Sequence, residues 1–131
     1  MRAPDEAPDE RIELFYERLL TVLRRQAVRD GQWRLLECTA AWADNPTFDS
    51  FIASWWQGAG DERLLVTVNY AGSQGQCYVR LPFPELNGHA VRLTDLMGPA
   101  RYDRAGNDLV SRGLYLDLLP WGYHVFEVTP V

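Results

Sequence analysis

Cysteine is scarce in this chain: two residues, Cys38 and Cys77, in 131. That is too few for a disulfide framework. The expectation is two free thiols acting as small core residues, with a single bridge left open if the chain is exported. Histidine is equally scarce. His89 follows an Asn-Gly turn, and His124 falls in a late apolar run. Neither has a second ligand at metal spacing, so neither a metal site nor a cofactor is expected. No apolar run approaches the roughly 18 residues of a membrane span. An excess of positive charge is missing too. Net charge is −5, and an acidic surface repels phosphate, which argues against nucleic acid and anionic membranes as partners. The opening "MRAPDEAPDER" lacks the apolar stretch of a secretion signal, so a cytoplasmic location is expected. A glycine-rich phosphate loop, G-x-S-x-G and H-E-x-x-H are all absent.

What is present is an ordinary globular composition in one domain's length, 47% hydrophobic and 24% charged. Residues 1–8, with most of a doubled "APDE", read as a disordered lead-in. A helix is predicted over 9–29. Asp9 is the expected cap, Glu10 and Glu13 suit its first turns, and Arg24, Arg25 and Arg29 suit its end before Gly31. Ile12, Phe15, Tyr16, Leu19, Leu20, Val22, Leu23 and Ala27 fall in one arc. At about 100° per residue the arc spans roughly 160°, wider than the roughly 100° one docking surface needs. The helix is therefore expected to touch more than one surface.

After Gly31 the period shortens. Runs at 33–37, 51–57, 63–70, 76–81, 90–96, 114–119 and 123–128 read as strands, with turn signals between them. "RLLVTVNY" places Leu64, Val66, Val68 and Tyr70 on one face; "QCYVRL" does the same for Cys77, Val79 and Leu81. "ARYD" and "DLVS" around "RAGN" read as a hairpin, and no second helix is expected. The fold expected is an all-β, antiparallel Greek-key β-sandwich of about eight strands over 30–131, preceded by one α-helix.

Candidate chemistry is thin. Asp95, Asp103, Asp108 and Asp117 offer carboxylates, but Asp103 and Asp108 flank a turn, where aspartate is ordinary. No catalytic residue is assigned. The tryptophans are more suggestive. Trp55-Trp56 points one ring to each face of a strand, one toward the core and the other toward the helix or a partner. Trp121 sits in the corner "LLPWGYHVF". Trp55, Trp56 and Trp121 are the candidate stacking surfaces for a sugar ring, and packing against protein is the competing reading for each.

The order of features resembles one family. "FYERLLTVLRRQAVRDGQWRLLE" resembles the last barrel helix of the alpha-amylase family, glycoside hydrolase family 13, running into its first C-terminal strand. Tyr16, Leu19, Leu20, Leu23, Arg24, Arg25, Gly31 and Leu35 carry that pattern. "IASWWQGAGDERLLVTVNYAGSQGQCYVRLP" resembles the next segment through Leu64, Leu65, Val66, Asn69, Leu81 and Pro82. "VRLTDLMGPARYDRAGNDLVSRGLYLDLLPWGYHVFEV" resembles the end, with its "DLxxG" step, "GLxLxLxPW" and a closing "VF". The stretch "CTAAWADNPTFDS" (38–50) departs from the pattern by its length.

The resemblance implies a non-catalytic C-terminal β-sandwich from an enzyme acting on alpha-glucans. The three catalytic carboxylates of that family belong to a (β/α)8 barrel, and none maps here; the family's G-x-R-x-D signature is absent. The implied partner is the catalytic barrel of the parent chain. Phe15, Tyr16, Leu19, Leu20, Val22 and Leu23 are the candidate interface, toward that barrel or toward a second copy in a homodimer. A carbohydrate-binding module and a stand-alone interaction domain are the alternatives.

Overall fold

The computed structural model describes residues 7–25, 31–58, 60 and 62–131. In chain order the elements are α1 (Ala7–Leu23), β1 (Gln32–Leu35), β2 (Cys38–Ala40), a 3-10 turn (Pro46–Ser50), β3 (Phe51–Gln57) and β4 (Arg63–Asn69). They continue with β5 (Gly75–Val79), a second 3-10 turn (Pro84–Leu86), β6 (Ala90–Asp95), β7 (Arg101–Ala105), α2 (Gly106–Ser111), β8 (Leu114–Leu118) and β9 (Tyr123–Pro130). Six strands form one sheet in the order β1-β3-β4-β9-β6-β7, and three form a second, β2-β5-β8. Every pairing is antiparallel. The expected sandwich is present, with nine strands among the described residues.

Period-2 alternation explains how the sheets meet. On β8, Leu114, Leu116 and Leu118 turn inward while Tyr115 and Asp117 face out. On β5, Cys77 and Val79 do the same, joined by Leu81 beyond the strand. From the large sheet, Phe51, Ala53, Trp55, Leu65, Val91, Leu93, Phe126 and Val128 meet them in one continuous core. Trp55 lies at its centre, stacked on Phe83 with ring centroids 4.4 Å apart.

The large sheet has a second covered face. Leu64, Val66 and Val125 alternate with the core residues and point outward, where Leu19 and Val22 of α1 pack on them with Trp56, Leu96 and Met97. This accounts for two adjacent buried leucines in one strand: Leu65 faces the sandwich and Leu64 faces the helix.

Several expectations fail here, among them the absence of a second helix. The segment read as a hairpin around "RAGN" is β7 running into the short helix α2. The cause is a close approach that the sequence does not announce. A Cβ on Gly106 would stand 1.8 Å from the Leu86 carbonyl oxygen, so the chain is pinned there and coils, burying Leu109 completely. Gly113, at φ +110°, ends the turn. Asp9 does not cap α1, because the helix already includes Ala7. Pro8, at the end of the expected lead-in, is helical as well, while residues 1–6 lie outside the described residues. At the other end α1 stops at Leu23, followed by a turn at Arg24 and Arg25. The last part of the predicted helix, with Ala27 and Arg29, lies outside the described residues.

Candidate docking face on the large sheet

α1 lies along the outer face of the large sheet. Phe15 meets Tyr123 edge-on at 6.2 Å, and Leu19 and Val22 fill the seat above β4 and β9. Two arginines fix it. Arg18 donates to the Met97 carbonyl at 3.1 Å, and Arg25 bridges Glu62 at 3.1 Å and Glu127 at 2.6 Å. The edge of the arc formed by Phe15, Leu19 and Val22 is thus the one that faces the sandwich.

The other edge is uncovered. Ile12, Tyr16, Leu20 and Leu23 are each 47–55% exposed. Their spacing of four, four and three residues makes one stripe along the helix. Its direction follows from the wheel. Arg18 leans from one flank of α1 toward Met97, just past β6. The apolar stripe occupies the opposite flank, toward β3 and β1.

That side of the sheet is apolar as well. β1 is an edge strand whose four residues are all exposed. Trp33 pairs with Trp56 across the strands, so Trp33 and Leu35 share the outer face with Trp56, and Ile52 lies on it too. Trp33, Leu35 and Ile52 are about half exposed. Trp33 leans on half-buried Trp56 with ring centroids 6.4 Å apart. At the far end of the strands stand Tyr70 and Trp121, edge to face at 5.2 Å and both well exposed. The helix flank and the sheet edge make two walls of one apolar corner.

The corner at Trp121 is held under strain. Its φ is +60°, rare for a bulky residue. Asn69, fully buried at the end of β4, keeps it closed. Its amide nitrogen reaches the carbonyls of Ser73, Leu118 and Leu119, and its backbone N–H donates to Gly122. Trp121 N–H donates to the Ala71 carbonyl at 3.1 Å.

The sequence-predicted site residues are therefore separated. Trp55 is sealed in the core, where no sugar reaches it, with its Nε1–H donating to Gln57. Trp56 is half-buried beside α1 and Trp33. Trp121 alone of the three is open. Leu19 and Val22 are spent on the sandwich and Phe15 leans on Tyr123 while staying 39% exposed, whereas Tyr16, Leu20 and Leu23 face away. Sequence reasoning missed Trp33 and Ile52. The signal was available for Ile52, which strand alternation puts on the face of Trp56; Trp33 joins that face only through the β1–β3 register, which the sequence does not show.

The carboxylates do not converge. Asp95 is buried, accepts the Met97 and Val125 N–H groups, and meets His124 Nδ1 at 2.7 Å. Burial pushes its carboxyl up, but the His124 ring and the two backbone donors together outweigh this and hold it below the usual range. Asp103 is forked by Arg92 at 2.9 and 3.2 Å. Asp117 accepts from Gln74 and Gln76. No group of three potential metal ligands occurs among the described residues, and among them no helix is long and apolar enough to cross a membrane.

Comparison with known proteins adds little beyond this geometry. No family model matches the chain, and no curated protein matches it. Among solved structures, a Bacillus halodurans protein assigned as an alpha-N-acetylgalactosaminidase is similar at 15% identity and a TM-score of 0.49, over 75% of this chain. The present chain spans 21% of that protein's length.

Proposed function

We propose that this chain is the closing helix and C-terminal β-sandwich of an alpha-amylase-type glycoside hydrolase or transglycosidase acting on alpha-glucans. Its task is to pack on the catalytic (β/α)8 barrel and stabilise it. The observation that carries this reading is the two-walled apolar corner. A helix seated on one edge of its arc, with Tyr16, Leu20 and Leu23 turned outward beside exposed Trp33 and Leu35, is suited to take a further layer. An exposed apolar surface of this breadth marks an interaction site on a soluble domain. The order of motifs from the helix to the Pro-Trp-Gly corner supports the barrel of the same parent chain as that layer. The chain itself performs no glycosidic chemistry.

Incubation of the purified chain with starch, maltooligosaccharides and sucrose tests the reading. No new reducing ends and no altered products are expected. Turnover above background that is lost on substituting one of this chain's own aspartates overturns it.

A further inference from the structure

The loop between β2 and β3, the stretch whose length departs from the family pattern, builds an open groove of about 510 Å3. Trp42 forms one wall and is 54% exposed. Pro46 and Phe48 line it further, and Asp44 supplies a carboxylate. The loop is built rather than slack. Asn45 N–H donates to the Trp42 carbonyl at 3.3 Å, closing a turn around Asp44, which stands at φ +65°. Asn45 is buried and caps the 3-10 turn, its Oδ1 accepting from Thr47 N–H at 3.1 Å and Thr47 Oγ1 at 2.6 Å. Its amide nitrogen donates to Gln76 on β5, and Gln76 donates to Asp117. Trp42 thus stands on an ordered loop with about half of its surface open to solvent.

We infer that this groove binds an alpha-glucan chain, one pyranose ring lying on the Trp42 indole with its hydroxyls on Asp44. The lining holds no arginine, lysine or histidine, so a phosphate or carboxylate ligand finds no counter-charge. An indole face suits the C–H face of a pyranose, and a carboxylate accepts from neighbouring hydroxyls. The groove belongs to the small-sheet side of the sandwich, whereas α1 and the docking face lie on the outer side of the large sheet. It therefore stays open when that face is covered. The choice of alpha-linked glucose rests on the function proposed above.

Titration of the chain with maltoheptaose, followed by NMR of the indole Nε1–H signals, tests the inference. The Trp42 signal, assigned by its loss in Trp42→Ala, is expected to shift saturably. Followed by the backbone amides of 40–48, binding should weaken at least about tenfold in Trp42→Ala and detectably in Asp44→Asn. Asparagine tolerates the same backbone conformation as aspartate, so Asp44→Asn isolates the charge. Saturable binding of cellohexaose in place of maltoheptaose keeps the groove as a sugar site but overturns both its alpha-glucan specificity and the amylase-type reading. No saccharide shift, or binding that survives Trp42→Ala, overturns the groove and leaves the docking reading intact.

Discussion

At the scale of single residues, the most consequential polar contact joins two groups far apart in sequence. Asp95 at the end of β6 and His124 on β9 are 29 positions apart and meet at 2.7 Å. The turn after β6 also hangs on this carboxylate, through the Met97 and Val125 N–H groups. Because its pKa is depressed in the folded state, Asp95 contributes stability above the unfolded carboxylate value of about 3.9. That contribution fades as pH falls through the lower folded value. Asp95→Asn is expected to lower the melting temperature at pH 7 and to flatten its decline between about pH 5 and pH 3. Parallel melting curves for both proteins across that range would show that the carboxylate is not the acid-sensitive group. None of this was legible beforehand. Asp95 was visible only as one of four scattered carboxylates, because sequence spacing does not reveal which residues a sheet register brings together.

At the scale of elements, periodicity was a good guide wherever an element is long enough to repeat its pattern. The run from Leu64 to Tyr70 alternates as read, and the split fate of Trp55 and Trp56 follows from the strand period. The sequence did not show that the face of Leu64 and Val66 lies under a helix instead of in the sandwich core. Alternation separates two faces without saying what covers each. α2 was missed because six residues offer less than two helical turns, and "RAGN" has turn composition. What makes α2 is the contact of Gly106 with the Leu86 backbone. Gly106→Ala drives a methyl group into the carbonyl of buried Leu86, which the Pro84–Leu86 turn and the His89 N–H already hold in place. The expected cost in urea unfolding is about 1–3 kcal/mol or more. Gly72→Ala is the control: no atom lies within 4 Å of its added Cβ, so a change within about 0.5 kcal/mol is expected. Equal midpoints for the two variants would mean that the Gly106 contact is not a constraint.

At the scale of the whole molecule, the sandwich is closed on its inside and open on one outside corner. The breadth of the apolar arc on α1 was legible, and with it the expectation of more than one surface, of which the structure holds one, the sandwich. Which edge meets the sandwich was not, because that depends on Arg18 reaching Met97 and Arg25 reaching two glutamates. With those contacts known, the open stripe is Ile12, Tyr16, Leu20 and Leu23. A chain presenting this stripe together with exposed Trp33 and Leu35 is expected, in isolation, to cover them with a second copy of itself. A two-fold arrangement pairs each stripe with its own copy and closes the assembly at two. Sedimentation velocity on the isolated chain is therefore expected to show a concentration-dependent dimer. Tyr16→Lys with Leu20→Lys places a charge at two adjacent positions of the stripe without touching Leu19 or Val22. This double variant is expected to sediment as a monomer, while its urea midpoint in dilute solution stays close to that of the parent, since both sites are surface positions. If the parent is a monomer up to millimolar concentration, the corner is not adhesive and the case for a missing layer loses its physical basis. If the lysines unfold the chain, the stripe is a structural part of this domain and not a face prepared for another.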